Sequence, residues 1–166
     1  MKQPEKTIAP AHRPWPLRSQ DTTPLAWWRW LPSDKLRDAE ALLIDAELKR
    51  VAILRTERDQ PAAPRGEAAA AIRAAFSLLP IEELTMETDL VMTLLLRFAM
   101  YGYPAPALAL ASIIDGTKLN HPFAKELAAS WYAKNSPYRV RFSVEEAALT
   151  EAIHEYFAAA EDGSRA

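Results

Sequence analysis

The 166-residue chain contains no cysteine. Disulfides, thiolate nucleophiles, Cys-ligated zinc and iron–sulfur clusters are thereby excluded, which fits a reducing compartment. Glycine is scarce as well. The four glycines, Gly66, Gly102, Gly116 and Gly163, lie far apart, so no local pair can build a phosphate-cradling loop. The three histidines, His12, His121 and His154, have no metal-ligand spacing, and "HEYF" lacks the second histidine of a zinc-binding helix. No serine stands in a Gly-x-Ser-x-Gly elbow. The sequence therefore implies no cofactor and no metal.

Charge of one sign is also missing. Lys and Arg number 20 against 22 Asp and Glu, for a net charge of −2, which gives no global signal for nucleic acid or for a membrane surface. Long apolar runs are absent too. The longest stretch, Leu90 to Tyr103, is interrupted by Thr93, Arg97 and Gly102, and is too short to span a bilayer. Near the N-terminus, Pro4, Pro10, Pro14, Pro16, Pro24 and Pro32 stand where a secretory signal needs an apolar core. The expectation is a soluble, cytoplasmic protein with no membrane partner.

Hydrophobic residues are present in quantity, at 49%, enough for a core. Three of the five tryptophans fall together in "WWRW" as Trp27, Trp28 and Trp30. Residues 1–32 read as an extended Pro/Trp-rich arm, because each proline fixes φ and biases its predecessor away from helix. The first ten or so residues are expected to be loose. From Trp15 onward the arm is expected to lie on something, since each indole has roughly 150–250 Å² to bury. Neighbouring tryptophans cannot all face one way on a regular element, so the arm is expected to dock on this chain, on another copy or on a partner.

The remainder reads as helices. The first is expected to begin near Ser33 or Asp34 and run to Arg58, with Leu36, Ala39, Leu43 and Ala46 as its core stripe and Leu42, Ile53 and Leu54 on or beside it. Asp45 and Lys49 have i,i+4 spacing. Leu48, Val51 and Ala52 widen the apolar surface, so this helix is expected to touch both the bundle and a partner. A linker, "QPAAPRG", leads to an alanine-rich helix over 67–79. The third helix, 82–101, is apolar on nearly every side and marks a buried centre, with Leu90, Leu94, Leu95 and Phe98 in the core and Gly102 ending it. The fourth spans 105–115 with Gly116 as C-cap. The fifth spans 122–134, with Pro122 at its first position and Asn120 or His121 as cap. "SPYRVRFS" reads as a connector pinned by Tyr138, Val140 and Phe142. A capping box, Ser143 and Glu146, opens a sixth helix to about Ala160, and 161–166 frays. The fold class is all-α: one helical domain, 33–160, of about six helices around the central helix.

Local chemistry is thin. The carboxylate pairs Glu87/Asp89 and Glu145/Glu146 sit in first turns of helices, where acid is favoured by the macrodipole. The densest polar cluster, "DGTKLNHP", supplies Asp115, Lys118, Asn120 and His121 as a candidate binding loop, although caps account for most of it. Between 116 and 141, Lys118, Lys125, Lys134, Arg139 and Arg141 face only Glu126. The leading expectation is a non-enzymatic protein–protein interaction module, an adaptor, regulator or inhibitor, that uses Trp15, Trp27, Trp28, Trp30, Leu48 and Val51, with a protein partner or self-association. The alternative is a DNA-binding regulator in which helices 105–115 and 122–134 present Lys118, Lys125, Arg139 and Arg141 to phosphate. A third class is a helical pocket for a small apolar ligand.

Overall fold

The computed structural model describes residues 14–56 and 68–134, together with 152, 153, 155, 156 and 158. The protein is all-helical. Five α-helices are described: α1 (Asp38–Thr56), α2 (Ala68–Ser77), α3 (Met86–Met100), α4 (Pro104–Gly116) and α5 (Ala124–Lys134). Three short 3-10 turns precede them, Ser19–Asp21, Pro24–Arg29 and Ser33–Lys35. The isolated C-terminal positions named above are helical as well. No strand occurs among the described residues. The "QPAAPRG" linker, the "SPYRVRFS" connector, Arg139, Arg141 and the capping box at Ser143 lie outside the described residues.

α3 starts where its chemistry allows. Thr85 is the N-cap, and its hydroxyl accepts the Thr88 N–H at 3.2 Å, while Glu87 and Asp89 occupy the positive end of the helix. The start is therefore Met86 rather than Glu82; residues 80–85 form no helix. Leu90, Met92, Leu95, Leu96, Phe98 and Ala99 are buried along it, and Leu94 is partly buried against the same core. Gly102 ends it with φ +88°, a conformation that is strained for a residue bearing Cβ.

α4 is as central as α3, which the single dominant helix of the sequence reading did not anticipate. Pro104 opens it, where its missing N–H is not needed, and every residue from Pro104 to Ala111 is buried, with Ile113 and Ile114 beyond. Ala105, Ala107, Ala109 and Ala111 are short enough for α3 and α5 to approach on different sides. Gly116 is the last residue of α4 rather than its left-handed cap. Thr117 takes the cap position, with its hydroxyl donating to the Ile113 carbonyl at 2.6 Å; the positive φ falls instead on Asn120, at 56°. α5 contributes Leu127, Ala128 and Trp131 to the core. It starts at Ala124, two residues past the proline expected to open it.

From Ser19 onward the N-terminal segment is not an extended arm. It coils through the three 3-10 turns and packs on α1, α3 and α5. With about three residues per turn, neighbouring side chains diverge, and each indole finds its own place. Trp27 is 2% exposed and donates to the Ser19 carbonyl at 3.0 Å. Trp28 is fully buried, and its N–H reaches the Asp89 carboxylate at 2.8 Å. Arg29 pairs with the same carboxylate at 3.2 Å. Trp30 stacks on His121, centroids 4.6 Å apart at 20°, and its carbonyl accepts the Trp15 N–H at 2.9 Å. Beneath them, buried Thr93 of α3 donates to the Leu25 carbonyl at 3.2 Å. Further along, Ser33 exchanges two hydrogen bonds with Ser130 of α5, at 3.1 and 3.0 Å.

Candidate functional site

The surface that stands out is the outer face of α1. This helix carries apolar side chains on two opposite sides. One side holds Ala41, Ile44 and Leu48; Ile44 is fully buried, and Leu48 packs against the core. The other holds Ala39, Leu42, Leu43 and Ala46, all exposed, with Leu42 at 70% and Leu43 at 53%. The sequence reading assigned these two sides the other way round. It placed Ala39, Leu43 and Ala46 in the core and Leu48 with Val51 toward a partner. Leu36 alone of that stripe is buried, and it lies ahead of the helix.

Polar partners explain which side turns inward. Asp45 borders the inner side and is held by the Arg97 guanidinium of α3 and by the Tyr101 hydroxyl at 3.0 Å. It does not pair with Lys49, the partner its spacing suggested; Lys49 has no ion pair among the described residues. At the start of the helix the Glu40 carboxylate accepts the Ser19 hydroxyl at 3.0 Å and the Arg37 N–H at 3.0 Å. Burial pushes the Glu40 carboxyl up, but hydrogen bonds from the Arg37 N–H, its own N–H and Ser19, with the Arg37 charge, outweigh it and hold it below 4.5. These links clamp α1 in one rotation. Both sides are apolar, so hydropathy alone does not choose; the two carboxylates do.

Inside a stable clamp, the outer face is left in water. Four adjacent apolar side chains on one helical stripe form a contiguous patch. The other large exposed apolar side chains lie elsewhere: Leu84 and Met86 before and at the start of α3, and the tyrosines 101, 103, 132 and 156. Tyr101 and Tyr132 have polar partners, Asp45 and Ser112.

The predicted interaction residues of the arm are occupied within the chain. Trp27 and Trp28 are in its own core, and Trp15 and Trp30 are half-buried against Phe123 and His121. Indoles of that size, with the N–H groups of Trp15, Trp27 and Trp28 hydrogen-bonded, are worth more inside than in water. Val51 is half-buried.

The predicted binding loop is likewise structural at its centre. Phe123 N–H donates to His121 Nδ1 at 3.3 Å, so the proton resides on Nε2, which donates to the Arg29 carbonyl at 2.8 Å. His121 thus braces the turn just ahead of α5 and holds the N-terminal segment, instead of presenting a free imidazole. Asp115, Lys118 and Asn120 are exposed around it.

Of the predicted phosphate contacts, Lys118 and Lys125 are exposed. The outward side of α5 carries Lys125, Glu126, Ala129, Tyr132 and Ala133 and no arginine, asparagine or glutamine to read base edges. Lys134 turns back over the Trp131 ring, 5.2 Å from its centroid, and donates to the Met100 carbonyl at 3.4 Å. Burial lowers its pKa from 10.5. Among the described residues no three His, Asp or Glu side chains gather as a metal site, and no helix is long and apolar enough to cross a membrane.

Comparison of the chain with protein families, with curated proteins and with solved structures finds no match.

Proposed function

We propose that this protein is a non-enzymatic helical interaction module, an adaptor, regulator or inhibitor whose docking surface is the outer face of α1. The observation that carries this reading is the exposed stripe Ala39, Leu42, Leu43 and Ala46 on a helix whose rotation is held by Asp45 and Glu40. A free apolar stripe at helical spacing is the complement of another apolar helix or groove. Its clamped backing lowers the ordering cost of docking, because little of the helix has to be immobilised on contact. The Trp-rich segment serves this reading as a brace. Trp28 and Arg29 tie it to α3 through Asp89, Trp30 ties it to His121, and Ser19 ties it to Glu40 of α1.

The test is a capture experiment from the native host with the wild-type chain and with a Leu42→Glu/Leu43→Glu variant. Both substituted positions are exposed, so the circular dichroism spectrum and the unfolding midpoint should remain those of the wild type. The proteins retained, copies of this chain included, should be lost with the variant. Identical retention by both chains would remove the outer face of α1 from the reading.

A further inference from the structure

We infer that the partner of the outer α1 face is a second copy of this chain, with the two α1 helices packed antiparallel about a two-fold axis near Leu43. This rests on the interaction reading above and names its partner. The first ground is the order of side chains along the stripe. Ala39, Leu42, Leu43 and Ala46 run small, large, large, small, and so read the same in either direction. An antiparallel pair sets Ala39 against Ala46 of the other copy at each end and packs the leucines at the centre. The small ends let the helices approach closely, and the large centre fills the space between them. A two-fold contact requires that kind of self-complementarity.

The second ground is charge. Asp38 and Lys49 are both exposed, and neither has an ion pair among the described residues. They lie about three turns apart, on the same flank of the stripe, the side nearer Leu42. A two-fold axis through the middle of an antiparallel pair keeps like flanks together and reverses direction. It therefore brings Asp38 of each copy to the level of Lys49 of the other, twice per dimer. A parallel two-fold pair would keep Asp38 and Lys49 about three turns apart and on opposite sides of the seam, so neither would meet the other. The charges thus favour the antiparallel orientation. Arg50, further along the stripe, is held by Glu47 of its own helix.

Two of the described C-terminal helical positions are engaged elsewhere. Ile153 is in the core, and Tyr156 stacks on Phe76 of α2, centroids 4.8 Å apart. α1 has 19 residues, about 28 Å of helix. One such face is well below the roughly 800 Å² per partner of a standard interface, so the dimer is a weak one that forms and dissociates with concentration.

Two measurements test this on the intact chain. In sedimentation between about 1 μM and about 1 mM, the wild-type mass should rise toward twice 18.6 kDa. Asp38→Lys should weaken the association about tenfold or more, and Asp38→Lys/Lys49→Asp should restore it, with circular dichroism confirming the fold of each. Disulfide trapping then reads the orientation against a background without native cysteine. Leu43→Cys should oxidise to a covalent dimer. Ala39→Cys mixed with Ala46→Cys should give the mixed dimer well above either self-dimer, since bridged Cα atoms must come within about 7 Å. A wild-type mass that stays at one chain throughout, a double charge swap that fails to restore association, or dominant Ala39→Cys self-dimers would each overturn the antiparallel pair. Loss of a different captured protein from the Leu42→Glu/Leu43→Glu variant, with the wild type monomeric, would overturn self-pairing and leave the interaction reading standing.

Discussion

The indole N–H of Trp28 donates to the Asp89 carboxylate at 2.8 Å, linking a 3-10 turn near the N-terminus to the first turn of the buried helix α3. Arg29, the next residue, pairs with the same carboxylate. One acid thereby satisfies a buried donor, neutralises a half-buried cation and stands at the positive end of a helix. Asp89→Asn keeps an acceptor for Trp28 and gives up the charge; Asp89→Ala gives up both. The expected losses in urea unfolding are about 1 kcal/mol for the asparagine and about 2–3 kcal/mol for the alanine. In a double-mutant cycle, Trp28→Phe and Asp89→Ala should be strongly non-additive. Full additivity would mean that the hydrogen bond contributes nothing to stability.

The rotation of α1 is open to the same method. Ile44→Ala should cost about 2–5 kcal/mol, as a large-to-small change in a packed core. Leu43→Ala, one residue earlier, should fall within about 0.5 kcal/mol of wild type in dilute solution. If the two costs were reversed, Leu43 would be the buried residue and the exposed stripe would not exist.

Much of this arrangement is legible in the sequence. The all-round apolarity of "DLVMTLLLRFAMY" marks α3 as a central helix, Gly102 marks its end, and the indole area argues for ordering of the Trp-rich segment. The α1 rotation is not legible, because Ala41, Ile44 and Leu48 on one side are matched by Ala39, Leu42 and Leu43 on the other. What decides between them is Asp45 meeting Arg97 and Tyr101, and Glu40 meeting Ser19, pairings between distant residues that periodicity does not encode. The role of His121 is hidden for the same reason. Its ring works on the Arg29 carbonyl and on Trp30, far from it in sequence, and nothing in "LNHPF" announces that. Prolines argued for extension through residues 1–32, but from Ser19 the chain closes into turns, with the Trp27 N–H reaching back to the Ser19 carbonyl.

Acid should loosen the Glu40 clamp. Its carboxyl is held below 4.5 in the folded chain, so its contribution is present above that value and is lost as the pH falls through the lower folded value. Glu40→Gln should therefore be less stable than wild type near neutrality, and the gap should close as the pH drops below 4.5. Unfolding curves of the two chains at a series of pH values check this. A gap that is constant across the series would show that the Glu40 charge is not involved.

Lys134 works in the opposite direction. Burial lowers its pKa from 10.5, so the charged ammonium carries a cost in the folded chain at neutral pH. That cost is relieved as the pH rises from the folded value toward 10.5. Against Lys134→Met, the wild type should gain in relative stability over that window and not below it. Urea unfolding of both chains from neutrality upward reads the difference; a relative stability independent of pH would contradict the burial of the ammonium.

The central claim is that this protein meets its partner through the outer face of α1. Site-specific photo-crosslinking in the native host tests it most directly, with the same photoreactive residue placed in turn at Leu42, at Leu84 and at Ala129. All three positions are exposed, but only the first lies on the stripe. The account predicts a discrete, light-dependent adduct from position 42, at twice the chain mass if the partner is a second copy, and none of comparable yield from 84 or 129. An adduct confined to position 84 or 129, with position 42 silent, would contradict it.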